Sequence, residues 1–404
     1  MIEFKRLIPP KGERIIFESG KFDVPSNPIV PLIYGDGIGP EITEASIKVI
    51  DKALEKTYSE KISWFEVYAG ERAFKIYGDY LPEDTLKAIK HFRIALKGPL
   101  STPVGGGFRS LNVSLRQNLD LYACVRPVSY IEGVPSRLTN PEELDLVIFR
   151  ENTEDVYAGI EFEAFSDDAK KIIDFLRGMG ADIPKDSGIG IKPLSERKTK
   201  RIARASINYA LENKRESVTI VHKGNIMKYT EGAFRKWCYE VAREEFEDKV
   251  SMEGESEIGK LVIKDRIADN MLQQLITRTS EYDVLVLPNL NGDYISDLAA
   301  ALAGGLGMAP GANLNYEDGT GVFEATHGTA PKYTGLDKVN PSSLILSGAM
   351  MLQHIGFFKA SELIRNAISE TIKCKKVTYD LARHLKIKPL KTSEFVDEVL
   401  RNMD

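Results

Sequence analysis

Short apolar runs, glycine-rich turns and helix-periodic segments follow one another repeatedly along this chain. The run 29–34 reads as a buried strand, and Gly35-Asp36-Gly37-Ile38-Gly39-Pro40-Glu41 after it as a tight turn. An amphipathic helix is predicted from Ile42 onward. A second apolar run, 92–96, leads to glycines at 98 and 105–107. Leucines 111, 115 and 119 then form one stripe of a helix. Residues 121–128 are a further apolar run, and 144–149 reads as a buried strand. Strand signals return at 217–221, 261–265 and 282–287, the last closed by Pro288 and a turn over 289–292. Residues 344–355 read as a buried helix and 357–372 as an amphipathic one.

Residues 161–195 break this order. They are charged, carry Gly178, Gly180, Gly188 and Gly190, and predict an irregular excursion from the main body. Strand, glycine loop and helix in repetition predict an α/β fold.

The length of 404 residues suits two or three folding units. A net charge of -5 gives no basic field for nucleic acid. No apolar run is long enough for a membrane span, and the N-terminus lacks the apolar core of a secretory signal. Cys124, Cys238 and Cys374 are odd in number and widely spaced, which suits buried free thiols in a reducing compartment. The expectation is a cytoplasmic, soluble protein.

Asp293 and Asp297 lie four apart, and Asp269 opens a helical segment after a strand. Three aspartates at strand-to-helix transitions, without Cys or His, suit Mg²⁺ or Mn²⁺, although aspartate also serves as a helix cap. Arg116 shares a helix face with Asn112, Arg126 lies in an apolar run, and Arg150 ends a strand. An arginine there needs an anion, because an unpaired buried charge is very costly. With Ser110 and Asn112 these cations suit a substrate bearing several carboxylates; ion pairs to acids such as Glu151 and Asp155 are the internal alternative. Tyr157 and Lys223 are candidates for proton transfer, and either residue alone is more often plain surface.

The Gly35–Pro40 loop lacks the GxGxxG spacing of a dinucleotide fold. More promising is the loop His327-Gly328-Thr329-Ala330-Pro331-Lys332-Tyr333, with Asn340 beyond it and Tyr379 and Arg383 four apart. One lysine, two tyrosines and an arginine could hold an adenosine 2′-phosphate.

Six runs together resemble a known family: 35–41, Gly-Gly-Gly-Phe-Arg-Ser-Leu-Asn-Val (105–113), Arg-Glu-Asn-Thr-Glu-Asp-Val-Tyr-Ala-Gly (150–159), His-Lys-Gly-Asn-Ile-Met-Lys (222–228), Asn-Leu-Asn-Gly-Asp-Tyr-Ile-Ser-Asp (289–297) and 327–333. They are similar to the prokaryotic NADP-dependent isocitrate dehydrogenases, members of the isocitrate/isopropylmalate dehydrogenase family of metal-dependent β-decarboxylating enzymes. The resemblance runs from about residue 31 to the C-terminus. It implies isocitrate binding by Ser110, Asn112, Arg116, Arg126 and Arg150, and metal binding by Asp293, Asp297 and a neighbouring subunit's equivalent of Asp269. Tyr157 is then the proton donor after decarboxylation, and Lys223, also from the neighbour, assists removal of the hydroxyl proton. Ser101 and Thr102 match positions near the nicotinamide. His327 through Tyr333 and Asn340 match the adenosine loop. Lys332, Tyr333, Tyr379 and Arg383 match 2′-phosphate contacts, with Arg278 a further contact from the partner.

The fold so implied is α/β but not a true Rossmann fold. A large domain (1–121 and 304–404) and a small one (122–154 and 196–303) share a central sheet, and 155–195 form a clasp that makes a homodimer. The substrate is small, with neither nucleic acid nor membrane as partner. Homoisocitrate or isopropylmalate dehydrogenases of the same family are the nearest alternatives, and Ser110 with Asn112 disfavours the second. A Mg²⁺-dependent phosphotransferase would need a Walker-type loop, which is absent. A non-catalytic nucleotide-binding subunit would not need Tyr157, Lys223 and three aspartates together.

Overall fold

A computed structural model describes residues 3–102, 110–255 and 258–404. The glycines at 105–107, and with them most of the 105–113 motif, lie outside the described residues. Its strands in chain order are β1 (Ile16–Glu18), β2 (Lys21–Asp23), β3 (Ile29–Ile33), β4 (Ser63–Glu66) and β5 (Ile94–Lys97). They continue with β6 (Ala123–Ser129), β7 (Asp145–Glu151), β8 (Glu161–Phe162), β9 (Ile189–Gly190) and β10 (Ser217–His222). The last five are β11 (Val250–Met252), β12 (Leu261–Ile267), β13 (Val284–Leu287), β14 (Pro310–Leu314) and β15 (Gly321–Ala325).

Eleven of them form one sheet in the order β11-β12-β10-β13-β7-β6-β14-β15-β5-β3-β4. Pairing is parallel from β11 to β7 and again from β15 to β4. Between these wings, β7, β6, β14 and β15 pair antiparallel. A classical dinucleotide fold has a mostly parallel sheet with one switch point, so the expectation of an α/β fold other than Rossmann holds. Strands taken from 122–154 and 196–303 make one side of the sheet, and those from 1–121 and 304–404 the other. The two sides meet where β6 pairs β14, Cys124 opposite Asn313.

Residues of β3, β5, β10 and β13–β15 are buried throughout. This is why β3 and β13 read as near-continuous apolar runs rather than alternating ones, while Asn313 of β14 and Glu324 of β15 place buried polar groups in theirs. The helix Ser342–His354 is buried on nearly all sides, as its composition predicts. No helix among the described residues is long and apolar enough to cross a membrane.

Four expectations need correction. Phe92 ends the helix Glu83–Phe92, and the strand starts at Ile94 after Arg93 turns the chain at φ 73°. Residues 289–292 are the first turn of the helix Asn289–Leu302 rather than a loop; Gly292 and two asparagines disguise it. Residues 161–195 are not irregular: β8 pairs β9, and the helix Asp167–Gly178 lies between them, capped by Ser166 accepting from the Ala169 N–H at 3.1 Å. Its apolar positions Ala169, Ile172, Ile173 and Leu176 do form a helical stripe, but a short one set among charges and glycines, and only Ala169 and Ile173 are buried. Of the three cysteines, Cys124 and Cys238 are buried but Cys374 is exposed.

Candidate active site

Arg150 ends β7 with 1% of its surface exposed, so it needs compensation. The compensation comes from the helix Asn289–Leu302, which packs on that strand. Nε donates to Asn289 Oδ1 at 2.8 Å, and Nη1 pairs with Asp293, whose other oxygen accepts from the Tyr157 hydroxyl. The guanidinium also lies over the Tyr157 ring, 5.0 Å from its centre. Gly292 makes the approach possible: a Cβ there would fall 2.5 Å from Arg150 Cγ. One turn on, Ser296 and Asp297 face Arg126 of β6, Asp297 at 3.4 Å. Asp293 and Asp297 therefore share a helix face, as their spacing predicts.

Arg116, from the helix Leu111–Asn118, reaches Glu324 of β15 at 2.8 Å and Asn152 at 3.4 Å. Lys97 holds the other Glu324 oxygen at 2.6 Å. The arginines thus pair with Glu324, Asp293 and Asp297, not with Glu151 or Asp155. Asn112 Oδ1 is buried with no hydrogen-bond partner among the described residues, and Ser110 immediately precedes this helix.

Electrostatics distinguish the acids and the phenol. Burial pushes Asp293 up, but the Arg150 guanidinium, the Tyr157 hydrogen bond, Arg126 and Arg116 outweigh it and hold the carboxyl below its ordinary value. Burial, then the hydrogen bond to Asp293, pushes Tyr157 up to about 12, so the phenol is a proton donor at neutral pH. Glu324 is held ionised: burial opposes this, yet Lys97 and Arg116 lower its pKa well below the usual range.

Lys223, directly after β10, forms an ion pair with Asp269 in the first turn of the helix Ala268–Thr277. Among the described residues neither bonds to Arg150, Tyr157, Asp293 or Asp297 of the same chain. Nor do three or more acidic, His or Cys side chains converge as a cation site within one chain. Asp293 and Asp297 are an all-oxygen donor pair of the kind a hard cation takes.

The 327–333 loop builds a second corner. Thr329 O accepts from the Ile38 N–H at 3.0 Å, and a Cβ on Gly37 (φ 60°) would lie 2.2 Å from that oxygen. The Gly35–Pro40 turn is accordingly a buttress for the 327–333 loop, and Pro40 sits in the first turn of the helix Gly39–Tyr58, where proline is tolerated. Ser101 Oγ donates to Thr329 at 3.2 Å, and Thr102 Oγ1 accepts from Leu111 N–H at 3.3 Å. His327 is kept neutral by burial, and its Nε2 has no partner among the described residues. Gly328, Ala330 and Pro331 shape the loop, Ala330 at φ 37°. The rings of Tyr333 and Tyr379 lie 5.3 Å apart, with Lys332 4.9 Å over Tyr333. Arg383 is exposed one turn beyond Tyr379, and Asn340 donates to Asp380 at 2.9 Å. Arg278 ends its helix 3.8 Å from Glu281 and joins this corner in no contact within the chain among the described residues.

Reading the residues in sequence missed the supports. Glu324, Asn152, Asn289 and Ser296 hold the arginines. Asp36 accepts from the Ser101 N–H at 2.8 Å. Lys338 lies 5.0 Å over the Tyr379 ring. Asn152, Asn289, Ser296 and Asp36 lie inside quoted motifs, whereas Glu324 and Lys338 gave no signal.

The chain matches the isocitrate/isopropylmalate dehydrogenase family over residues 29–399. It is 58% identical to the NADP isocitrate dehydrogenase of Archaeoglobus fulgidus over 412 aligned positions, covering 100% of this chain and 99% of that one. Identity to the enzyme of the same name from Helicobacter pylori is 51%, with 98% of each chain covered. Among solved structures, that of isocitrate dehydrogenase from Methylococcus capsulatus superposes with a TM-score of 0.79 at 38% identity, over 93% of this chain and 99% of that one.

Proposed function

This chain belongs to the isocitrate/isopropylmalate dehydrogenase family, and from that premise we propose that it oxidises and decarboxylates isocitrate to 2-oxoglutarate and CO₂ with reduction of NADP⁺. The observation that carries the substrate reading is the convergence of Arg116, Arg126 and Arg150, each less than a tenth exposed, on one region beside Tyr157 and Asp293. Guanidinium groups bind carboxylates in a fork geometry, and three of them match a tricarboxylate. Ser110 and Asn112 add hydroxyl and amide donors at the edge of the site. That polar edge favours isocitrate over isopropylmalate.

Asp293, Asp297 and the partner's Asp269 would hold Mg²⁺ or Mn²⁺. Such a cation, when bound, supplies Lewis-acid polarisation of the substrate oxygens and stabilises negative charge. The chain's own side chains do the rest. The arginines orient the substrate so that the hydrogen on C2 faces the nicotinamide near Ser101 and Thr102. Lys223 Nζ takes the hydroxyl proton as the C2 hydride leaves for NADP⁺. The β-keto acid then loses CO₂, and Tyr157 Oη, protonated up to about pH 12, delivers a proton to the carbon that lost it.

NADP⁺ would lie along 327–333 and Asn340, with its 2′-phosphate among Lys332, Tyr333, Tyr379 and Arg383. The unpartnered His327 Nε2 and the cation-flanked tyrosine pair support this placement. Among the described residues neither Lys223 nor Asp269 bonds directly to Tyr157, Asp293 or Asp297 of its own chain, which supports a complete site that takes them from a partner. A homodimer is therefore part of the proposal, and Arg278 would come from that partner. Phe165, Phe175 and Met179, 68–80% exposed in the 155–195 segment, suit a clasp that buries them between subunits. The division into large and small domains along the β6–β14 pairing, and a cytoplasmic location, complete the reading.

The test is the appearance of reduced nicotinamide from isocitrate with Mg²⁺ and either NADP⁺ or NAD⁺. Rapid reduction of NADP⁺, slower with NAD⁺ and abolished by EDTA, is expected. A preference for NAD⁺ would overturn the 2′-phosphate assignments and leave the family intact. Activity only with homoisocitrate would overturn the substrate.

A further inference from the structure

Lys192 has no place in the chemistry above, yet it stands at the junction of the segments that perform it. It lies just beyond β9, its side chain 16% exposed. Nζ is 2.6 Å from Asp155 and 2.9 Å from Glu231, two carboxylates whose side chains are wholly buried. Each carboxylate in turn holds backbone that carries a reacting group. Asp155 Oδ2 accepts from the Leu290 N–H at 3.0 Å, in the first turn of the helix bearing Asp293 and Asp297. Asp155 itself is two residues before Tyr157, in a left-handed conformation at φ 70°. Glu231 Oε2 accepts from the backbone N–H of Lys223 and from Asn291 Nδ2, the latter at 2.8 Å.

We infer that Lys192 is a positioning residue that locks Lys223, Tyr157 and the Asp293 helix in fixed relation through the buried pair Asp155 and Glu231. The inference rests on the functional reading above. Two wholly buried carboxylates that share one ammonium both lose it when that charge is removed, and a buried group left without its partner is costly. Removal of the Lys192 charge therefore loosens one or both, and with them the Lys223 amide and the start of the 289–302 helix. Because Lys223 is assigned to the partner's site and Tyr157 to its own, the same lysine sets geometry in both sites of a dimer. A displacement near an ångström is enough to slow chemistry tenfold to a hundredfold.

The experiment compares Lys192→Met, Lys192→Arg and wild type as purified full-length protein. Each half of the reaction is measured separately. Hydride transfer is read from NADP⁺ reduction with isocitrate bearing hydrogen or deuterium at C2. The decarboxylation and protonation half is read by supplying the β-keto acid directly. Expected for Lys192→Met is a fall in kcat of roughly tenfold or more in both halves. The KM for isocitrate should change little, the isotope effect on kcat should grow, and Lys192→Arg should recover most of the rate.

A folded Lys192→Met protein with wild-type kcat and isotope effect, and only a lowered melting temperature, would overturn the inference, since a merely structural ion pair moves stability alone. Slowing of one half and not the other would break the proposed link between Lys223 and Tyr157. Should Lys192→Met fail to fold, Glu231→Gln, which keeps an oxygen toward the Lys223 amide but removes one charge, is judged by the same readouts. Absence of isocitrate oxidation by the wild type would instead count against the functional reading, which the parallel assay separates from a failure of the Lys192 variants.

Discussion

The arginine pocket and the nucleotide corner are both cationic, but they are built on opposite principles. Arg116, Arg126 and Arg150 are buried, and each is matched by an acid from a segment far away in sequence. Lys332, Lys338 and Arg383 are exposed, arranged around the tyrosine pair within one short stretch of surface. A buried charge persists only while its partners stay in place, so the pocket's binding power and the stability of the fold are the same property. An exposed cation is screened by water and holds little together. Cofactor preference can therefore change without disturbing the core, whereas substrate recognition cannot.

The largest effect should follow from Arg150→Met. Removing one partner of a buried ion pair costs about 3–5 kcal/mol, and the proposed function gives the same group to the substrate. The expected loss in kcat/KM for isocitrate is roughly a thousandfold, together with a lower melting temperature. Steady-state kinetics and thermal melts on one preparation check both; loss of activity at unchanged stability would contradict the idea that the two are joined here.

Lys332→Glu should do the reverse. We expect kcat/KM for NADP⁺ to fall by roughly tenfold to a hundredfold, since a carboxylate would face the 2′-phosphate. NAD⁺ should be used as well as before, and the melting temperature should not move. Equal losses with both cofactors would place the phosphate elsewhere.

Gly292→Ala is gentler. A methyl group 2.5 Å from Arg150 Cγ forces that side chain or the helix to shift by a fraction of an ångström. A several-fold rise in KM for isocitrate is expected, with KM for NADP⁺ unchanged, and kinetics with each substrate varied in turn would reveal any other pattern.

Glu151 sharpens the contrast, being buried beside Arg150 and accepting, among the described residues, from the Thr153 N–H and hydroxyl and the Glu154 N–H. Burial raises its pKa to about 7 from an ordinary 4.5. The folded form thus binds a proton more tightly than the unfolded chain. Its contribution is fully present below about pH 4.5 and is lost as pH rises through about 7. Glu151→Gln should become more stable than wild type across that window, by up to about 3 kcal/mol above it, with little change in kcat. Denaturant titrations of both proteins at acid and alkaline pH decide it; parallel curves would show that Glu151 titrates normally.

Much of this was legible in the order of residues. Strands buried on both faces are largely apolar, so β3, β7, β10 and β13 announced themselves, whereas β14 and β15, interrupted by Asn313 and Glu324, did not. Arg150 at the end of such a run, and Asp293 four before Asp297, carried their chemistry in their position. The helix Asp167–Gly178 did not, because its short stripe of Ala169, Ile172, Ile173 and Leu176 is set between charged residues and glycines that read as an irregular stretch. The first turn of the helix Asn289–Leu302 was hidden for another reason. Asn289 and Gly292 serve Arg150, and Asn291 serves Glu231, rather than helix propensity.

What the chain determined by itself was its local alphabet: apolar runs sized for strands, glycines where backbone must pass closely, and the six runs that resemble one family. Each depends on neighbours within a few residues, where spacing alone sets which side chains share a face. Only the tertiary structure decided the pairings, Arg116 with Glu324 across 208 positions and Arg150 with Asp293 across 143. Those depend on which strands lie side by side in the sheet. No local rule carries that information, because a buried charge selects its partner by distance in space.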